Sequence, residues 1–500
     1  YKMKFADFFL PLAFALGLTI LVHQFFFNKS VPESGEATSG QEFLAPTTPV
    51  STKPLNLEVD FLDKNPGQDY KTVKTEVKTS YATFELTSDG ATIENLIFAH
   101  KAGSEEIAMQ TVAPFVEIDR ERQFLLVALN EKTPYYYNFV KKEENLDFVT
   151  VEYSVETEAV KINKVFKIYN NICKIDLELN IQPKSGSIVQ PRLLFSTPYL
   201  KNLGENDVIS GIVYTEKNSI KKTPVADLGT RYWVKPSLIG AEDKYFIHAI
   251  TQDSNNFAQR AYYKFLSKDK SLVIVESNEI KESTKYNLSF YVGPKEVQAM
   301  ASVDSRLEST LDYGIFNPAS KFLLASLKFL YKYVHNYGLA IIILTLLMKL
   351  LMVPLTINGN KAMARQKETQ KKLQYLEQKY KNDKEQLAIE KSELIKKQGI
   401  PDMLGCLPML LQIPIFVSLS RVLSSSIELY QAPFFGWITD LSQKDMVFLP
   451  VLVGIAMIVQ GFTTASDARQ RLTQVLMALI IAAFTSNLSA GLTLFICVST

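Results

Sequence analysis

The fold class predicted by this sequence is a membrane protein: an N-terminal transmembrane anchor, a large extracytoplasmic β-sandwich domain, then a five-span α-helical core with a cytoplasmic helical hairpin. Three observations predict it. Apolar runs near the roughly 20 residues needed to cross a bilayer occur at the start of the chain and again through its last third. Residues 55–303 contain no such run and instead show short alternating, β-branched and aromatic segments. Lysine and arginine gather in the polar segments on one side of the apolar runs, which orients the chain.

The first run is about Phe8 to Phe27, with Lys2 and Lys4 before it, so its N-terminus is expected in the cytoplasm. A cleaved signal peptide is the competing reading. The run is long for a signal core, and the Phe25-Phe26-Phe27 exit lacks a small-residue cleavage site, so residues 1–27 are read as an uncleaved anchor. Residues 28–54 are rich in Pro, Ser, Thr, Gly and Glu and read as a flexible tether. In residues 55–303 the strand signals include Tyr81-Ala-Thr-Phe-Glu-Leu-Thr87, Phe148-Val-Thr-Val-Glu-Tyr-Ser-Val155, Ile175-Asp-Leu-Glu-Leu-Asn-Ile181 and Ser271-Leu-Val-Ile-Val275. Turn signals such as Ser88-Asp89-Gly90 and Ser185-Gly186 separate them, which suggests a large β-sandwich.

Residues 316–336 alternate Lys321, Lys328 and Lys332 with Phe322, Leu323, Leu327, Leu330, Tyr331 and Val334. This pattern predicts an amphipathic helix lying in the membrane interface; packing of the same helix on the sandwich is the alternative. A helical core is read over residues 337–500, with spans at about 337–355, 404–423, 447–462 and 472–488. A further run, 489–500, is still apolar at Thr500 and is expected to continue. Residues 358–399 carry eleven lysines and arginines, among them Arg365, Lys371 and Lys372, and so belong to the cytoplasm. Strong helix formers fill this stretch, Asn382-Asp383 breaks it, and Gly399 with Pro401 ends it, which predicts a helical hairpin.

Composition excludes several functions. A net charge of +2 offers no argument for DNA. Three cysteines and four histidines fall in no metal or redox spacing, and no phosphate-binding glycine loop occurs. No catalytic, cofactor-binding or metal-binding residue is assigned, and the chain is not read as an enzyme.

Lys349 is the residue that asks for a function. It sits inside the apolar run from Gly338 to Thr356, where a cation costs roughly 2.5 kcal/mol or more. Such charges face a bundle interior or a wet cavity; snorkelling toward Thr356, about 10 Å along a helix, is the bland alternative. Thr345, Lys349 and Thr356 are spaced to fall on one side of the helix. Gln412 lies between Pro408 and Pro414 in the next span, and Thr493 starts a polar i, i+4, i+7 set with Cys497 and Thr500. These groups are candidates to line a polar groove, with simple interhelical hydrogen bonding as the rival role. Trp437 is expected at the outer membrane interface, with a possible part in closing that side.

Five ordered stretches of the membrane part carry a resemblance. They are Leu311-Asp-Tyr-Gly314, Tyr337-Gly-Leu-Ala-Ile-Ile-Ile-Leu-Thr345, Val353-Pro-Leu-Thr356, Gly405-Cys-Leu-Pro-Met-Leu-Leu-Gln-Ile-Pro-Ile-Phe416 and Glu428-Leu-Tyr-Gln-Ala-Pro-Phe-Phe-Gly-Trp-Ile-Thr-Asp-Leu441. In these the chain resembles the bacterial members of the YidC/Oxa1/Alb3 family of membrane protein insertases. Looser matches lie at Thr75-Glu-Val77, Ser88-Asp-Gly90 and Asp243-Lys-Tyr-Phe246. The resemblance implies five core spans around a hydrophilic groove that opens to the cytoplasm and to lipid and is closed outside. It implies nascent membrane proteins as substrates, Sec translocon components as partners, and residence in the bacterial inner membrane with the large domain periplasmic. Basic hairpin residues such as Arg365, Lys371 and Lys372 are candidates for first capture of substrate or for meeting a ribosome or targeting receptor, with a plain solvated face as the equal rival. Family members carry an arginine in the groove; the matching position here is Lys349, which keeps the charge and loses the planar five-donor fork. A solute or ion transporter is the alternative, although no internal repeat of the kind common in transporters is visible.

Overall fold

The computed structural model describes residues 55, 57–62, 70–102, 105–113, 120, 123–130, 132–184, 186–199, 207–215, 219–267, 270–311, 316–380, 384–398, 407–464 and 468–500. The expected anchor, residues 1–27, and tether, residues 28–54, lie outside the described residues, as does the Asn382-Asp383 break. The chain divides into a β unit that ends at Asp312 and a helical unit that begins at Tyr313.

The β unit opens with β1 (Lys74–Lys78), β2 (Ala82–Thr87), β3 (Thr92–Ala102) and β4 (Glu105–Val112), which form a four-stranded antiparallel meander in that order. There follow β5 (Leu126–Ala128), β6 (Asn138–Glu144), β7 (Phe148–Glu156), β8 (Val160–Tyr169), β9 (Lys174–Pro183), β10 (Arg192–Ser196), β11 (Ser210–Thr215) and β12 (Ser219–Pro224). The last six are β13 (Tyr232–Val234), β14 (Ile239–Glu242), β15 (Phe246–Asp253), β16 (Arg260–Ser267), β17 (Lys270–Glu276) and β18 (Thr284–Pro294). Nine of them make one long antiparallel sheet, β12-β11-β14-β15-β18-β9-β8-β7-β6, and five make another, β13-β16-β17-β10-β5.

Alternation in the sequence sets the face of each strand. Along β7, β8 and β9 every second residue is buried. Register then lines those residues up across strands: Val151 opposes Phe166, Phe166 opposes Leu177, and Leu177 opposes Leu288. A one-residue slip would turn all four outward, so the buried face enforces the pairing. Aromatic contacts join the layers, with Phe98 against Phe246 and Phe195 edge-on to Phe290. The edge strands β1 and β6 carry Lys74, Lys78, Lys141 and Lys142, which discourages pairing with a foreign strand.

Two buried polar side chains hold the interior. Lys164 of β8 is fully buried and donates to the carbonyls of Ala91 (2.5 Å), Leu125 and Gly90. Gly90, Ala91 and Leu125 all have positive φ, so this ammonium satisfies carbonyls that left-handed turns point inward. Burial, with no carboxylate among its hydrogen-bond partners, holds its pKa well below the ordinary lysine value. His248 of β15 is fully buried against Phe124, with Nδ1 3.0 Å from the Ser196 carbonyl.

The first described residues lie across the outer face of the five-stranded sheet as a strap. Leu55, Leu57, Val59 and Phe61 pack on Leu126, Ala128, Leu194, Tyr262, Leu272 and Ile274. Arg192 Nη2 donates to the Glu58 carbonyl at 3.0 Å and Lys264 Nζ to the Leu57 carbonyl at 2.7 Å. Leu62 N donates to the Thr133 carbonyl, and Thr133 N to that of Asp60. Four half-buried apolar side chains contribute roughly 3–6 kcal/mol. At least four hydrogen bonds add about 4 kcal/mol. Ordering about seven residues costs roughly 7–14 kcal/mol, so the strap is held with little to spare.

At its other end the β unit extends beyond residue 303. The short helix α1 (Val297–Ala301) and the 3-10 turn Ser305–Thr310 follow β18, and Lys222 of β12 donates to the Thr310 carbonyl. Arg306 fastens the same segment, donating to the Thr251 carbonyl at 2.5 Å and to Asp304 at 2.6 Å.

The helical unit comprises α2 (Asn317–Val334), α3 (Tyr337–Lys379), α4 (Lys384–Gln398), α5 (Leu407–Ser425), α6 (Phe448–Thr464), α7 (Ala468–Thr485) and α8 (Ala490–Ser499). α2 stops at His335, which adopts φ +51°, and Asn336 then caps α3 by accepting from Leu339 N at 3.1 Å. One expectation changes. The second span and the first arm of the hairpin are a single helix of 43 residues, about 64 Å long. Pro354 lacks an N–H but does not break it, and the helix continues on both sides. Tyr337–Pro354 is, among the described residues, the helix segment long and apolar enough to cross a membrane; shorter apolar helices lie at Phe448–Thr463, Arg471–Thr485 and Ala490–Ser499.

The β unit has two groups with opposed pH dependence. Burial depresses His248 to about 4, so its stabilising effect is complete above the unfolded value near 6.5 and is lost as pH falls from there toward 4. Burial raises Asp243 to about 6, so its effect is present in acid and is lost as pH rises through 6. Urea titrations of the β-unit signal at pH 7 and pH 5 should therefore separate them. Asp243→Asn should make the loss of stability on acidification steeper than in wild type, and His248→Gln should flatten or reverse it.

Candidate functional site

Burial along α3 changes at one point. Ala340, Ile341, Leu344 and Thr345 are buried, where α3 packs against α2, α5 and α8. From Leu346 onward none of its described residues is buried. Leu346, Leu347, Leu350, Leu351, Val353 and Ile357 are exposed large apolar side chains, a surface suited to lipid and not to water.

Lys349 lies in this second stretch, exposed and surrounded in sequence by those leucines. Among the described residues it has neither a hydrogen-bond nor an ion-pair partner. Thr356, also exposed, donates to the Met352 carbonyl of its own helix at 3.0 Å. Gln412 is half-buried on α5. Thr345 and Thr493 differ from the expectation of a hydrated lining. Thr345 is 2% exposed and its hydroxyl donates to the Ile341 carbonyl at 2.7 Å. Thr493 is fully buried and lies 3.2 Å from the Thr485 carbonyl at the end of α7 and 3.1 Å from that of Ser489. Both hydroxyls are taken up by backbone in the packed half of the unit. Helical spacing puts Thr345 and Lys349 on one side, yet Thr345 is buried and Lys349 is exposed. No hydrogen bond joins Lys349, Gln412 and the three threonines to one another.

In the hairpin, α4 returns beside the end of α3, with Lys391 2.7 Å from Glu377 across the two arms. Leu373, Leu376, Tyr380, Leu387 and Leu394 are half-buried, as a thin apolar stripe between two helices requires. Lys372 is exposed and pairs with Glu368 at 2.8 Å, while the side chains of Arg365 and Lys371 lie outside the described residues.

The best-built part of the helical unit is the segment that contains Trp437, the residue expected at the outer interface. The segment between α5 and α6 folds over the N-termini of α3 and α8. Asp440, 9% exposed, accepts from Gln431 N, Ser442 N and Ser442 Oγ. The Leu441 carbonyl accepts from Gly491 N and that of Gln443 from Ala490 N, which seats the segment on α8. Phe434 lies so close to α3 that a Cβ added to Gly338 would come within 2.0 Å of its ring. Asp445 caps α6 through Val447 N, Phe448 N and Leu449 N and accepts from Trp437 Nε1 at 2.9 Å. Trp437 itself is half exposed and packs on Phe448. Gly338, Phe434, Asp440 and Asp445 carry this arrangement. Only Asp445, just before an apolar helical run, had a signal readable as an N-cap.

Two family models match the chain. Residues 74–326, just over half of it, match the YidC periplasmic domain, and residues 329–500 match the 60Kd inner membrane protein. The chain belongs to the YidC family. Among the similar proteins are three named membrane protein insertase YidC. That of Geotalea uraniireducens is 38% identical over 298 residues, 57% of this chain and 56% of that protein. The Syntrophobacter fumaroxidans protein is 32% identical over 374 residues, 67% and 66% of the two chains. The Campylobacter jejuni protein is 27% identical over 483 residues, 89% and 88% of the two chains. The match spans little more than half the length of the first of these relatives. Membership makes the β unit a YidC periplasmic domain and the helical unit the membrane part of an inner-membrane protein.

The Gly338–Phe434 contact predicts a specific defect. Gly338→Ala must push the Phe434 ring aside and should lower the thermal midpoint of the detergent-solubilised protein by several degrees. Phe434→Leu in the same chain should recover part of the loss, as read by thermal loss of the helical circular dichroism signal.

Proposed function

We propose that this chain is a membrane protein insertase that inserts and helps fold integral membrane proteins, alone or beside the Sec translocon. The observation that carries the reading is Lys349: a cation on an apolar helix surface with no partner among the described residues. A lone charge at that depth is costly unless water or a ligand attends it. Relatives named as membrane protein insertases supply the class of ligand.

In this reading the barrier to insertion is the passage of a polar tail through hydrocarbon. A wet groove beside Lys349 shortens the dry path, and the ammonium attracts acidic residues of the tail for a moment. The apolar span then leaves sideways into lipid, favoured by roughly 25 cal/mol per Å² of apolar surface. The membrane potential assists an acidic tail by about 2.3 kcal/mol per charge per 100 mV. No covalent step and no nucleotide is required. Gln412 and Thr356 are the polar neighbours assigned to the groove, while Thr345 and Thr493 brace the packed half of the unit behind it.

The helices α3, α5, α6, α7 and α8 are assigned to the bilayer, with the hairpin in the cytoplasm and the α5–α6 segment on the periplasmic side. α2 lies along the outer interface, where Phe322, Phe329 and Tyr333 are exposed beside Lys321 and Lys332. Trp437, its indole N–H already bound to Asp445, presents the apolar part of its ring to the same interface. On the hairpin, ion pairs such as Lys372–Glu368 are exposed and worth little, so a substrate, ribosome or targeting receptor can exchange for them. The transporter reading has less support, since transporter sites favour discontinuous helices and α3 runs unbroken past Lys349.

A photocrosslinker at Met348 should capture a stalled nascent membrane protein. Lys349→Ala should reduce insertion of short-tailed substrates several-fold in proteoliposomes, and Lys349→Arg should retain most of it. Solute flux through the protein with no crosslinks to nascent chains would overturn the insertase reading.

A further inference from the structure

The strap over the five-stranded sheet is the feature that the insertase reading leaves unused. Its contacts follow a rule that depends little on which residues it contains. Apolar side chains at alternate positions, Leu55, Leu57, Val59 and Phe61, lie on the sheet. Between them the sheet grips backbone, not side chains, with Lys264 and Arg192 donating to the carbonyls of Leu57 and Glu58. The Thr133 amide and carbonyl pair with Asp60 and Leu62 in the same way.

The receiving face is prepared for such a chain. Register brings Arg192 and Arg260 opposite Glu276 on adjacent strands, and Arg260 Nε donates to Glu276 at 2.6 Å. Arg192, 2% exposed, also donates to the Leu129 carbonyl at 3.1 Å. The Leu129 bond gives the Arg192 guanidinium a partner in the β unit besides the strap. The apolar floor of Leu194, Tyr262, Leu272 and Ile274 is continuous beside it. A strap held close to balance opens locally far more often than the sheets beneath it unfold.

We propose that the outer face of the five-stranded sheet is an exchangeable binding site for extended polypeptide with apolar residues at alternate positions, and that Leu55–Phe61 occupies it in cis. A segment of another chain in the same conformation presents the same carbonyls to Lys264 and Arg192 and the same side-chain row to the floor. The strap then excludes weak ligands, because it competes at the effective concentration of a tethered segment. This inference concerns the β unit alone and stands apart from the insertase reading.

The test uses the full chain in nanodiscs and a fluorescein-labelled peptide of the strap's own sequence, Leu55 to Leu62. The double substitution Leu57→Asp with Val59→Asp frees the face without touching the sheet. The peptide should bind this variant at least tenfold more tightly than wild type. Adding Lys264→Met should weaken it several-fold, and a peptide with serine at the four apolar positions should not bind. A folded double variant that binds neither peptide overturns the proposal. So does equal binding of both peptides. If the double variant fails to fold, a Leu57→Cys chain decides. An excess of unlabelled strap peptide should raise the reactivity of that thiol several-fold, and an unchanged rate overturns the proposal.

Discussion

Two aspartates between α5 and α6 hold the arrangement on which the rest of the helical unit depends. Asp440 draws Gln431 and Ser442 together, and the segment so formed lends the Leu441 and Gln443 carbonyls to the start of α8. Asp445 closes the segment by capping α6 and holding Trp437. Helix starts leave amides without partners, and such groups cannot stay bare at the edge of a membrane. With this end fixed, α3, α6 and α8 are gathered where they begin.

Lys349 lies beyond the turns of α3 held at this end. The first two turns of α3 are locked against neighbours, down to a glycine that admits the Phe434 ring. Beyond Thr345 the same helix shows its side chains to the surroundings, and it continues unbroken into the hairpin. A charge placed in the first part would have to be paired or buried at high cost; placed in the second, it is accessible. The lysine thus lies among the exposed turns of α3, just past the buried ones.

The β unit meets a related problem with different means. Its interior holds a lysine that meets three turn carbonyls, and a histidine kept neutral by burial. Long sheets with guarded edges bury these groups securely. The strap is the exception, since it covers an apolar face with side chains only half buried and with bonds to its backbone. Security in the sheets and looseness in the strap come from the same sequence pattern, alternation of apolar and polar residues, used once inside a ladder and once outside it.

Much of this was legible without coordinates. Period-two alternation marked strands such as β7, β8 and β9, because one buried face leaves a repeat in the chain. Apolar length and the bias of basic residues marked the helical part, and Lys349 stood out because its surroundings are uniformly apolar. What sequence could not reach were properties of neighbours. The continuity of α3 through Pro354 runs against the helix preferences of Thr356, Asn358 and Gly359 that follow it. That Thr345 is buried and Lys349 exposed depends on which described residues pack against each turn of α3. The roles of Gly338, Phe434 and Asp440 depend on contacts between residues about a hundred positions apart, or on a turn that only closes in three dimensions. By itself the sequence determined which residues must leave water, since that follows from their own chemistry. Which groups they meet when they do was decided by tertiary structure alone, because it depends on how each element ends and what lies across from it.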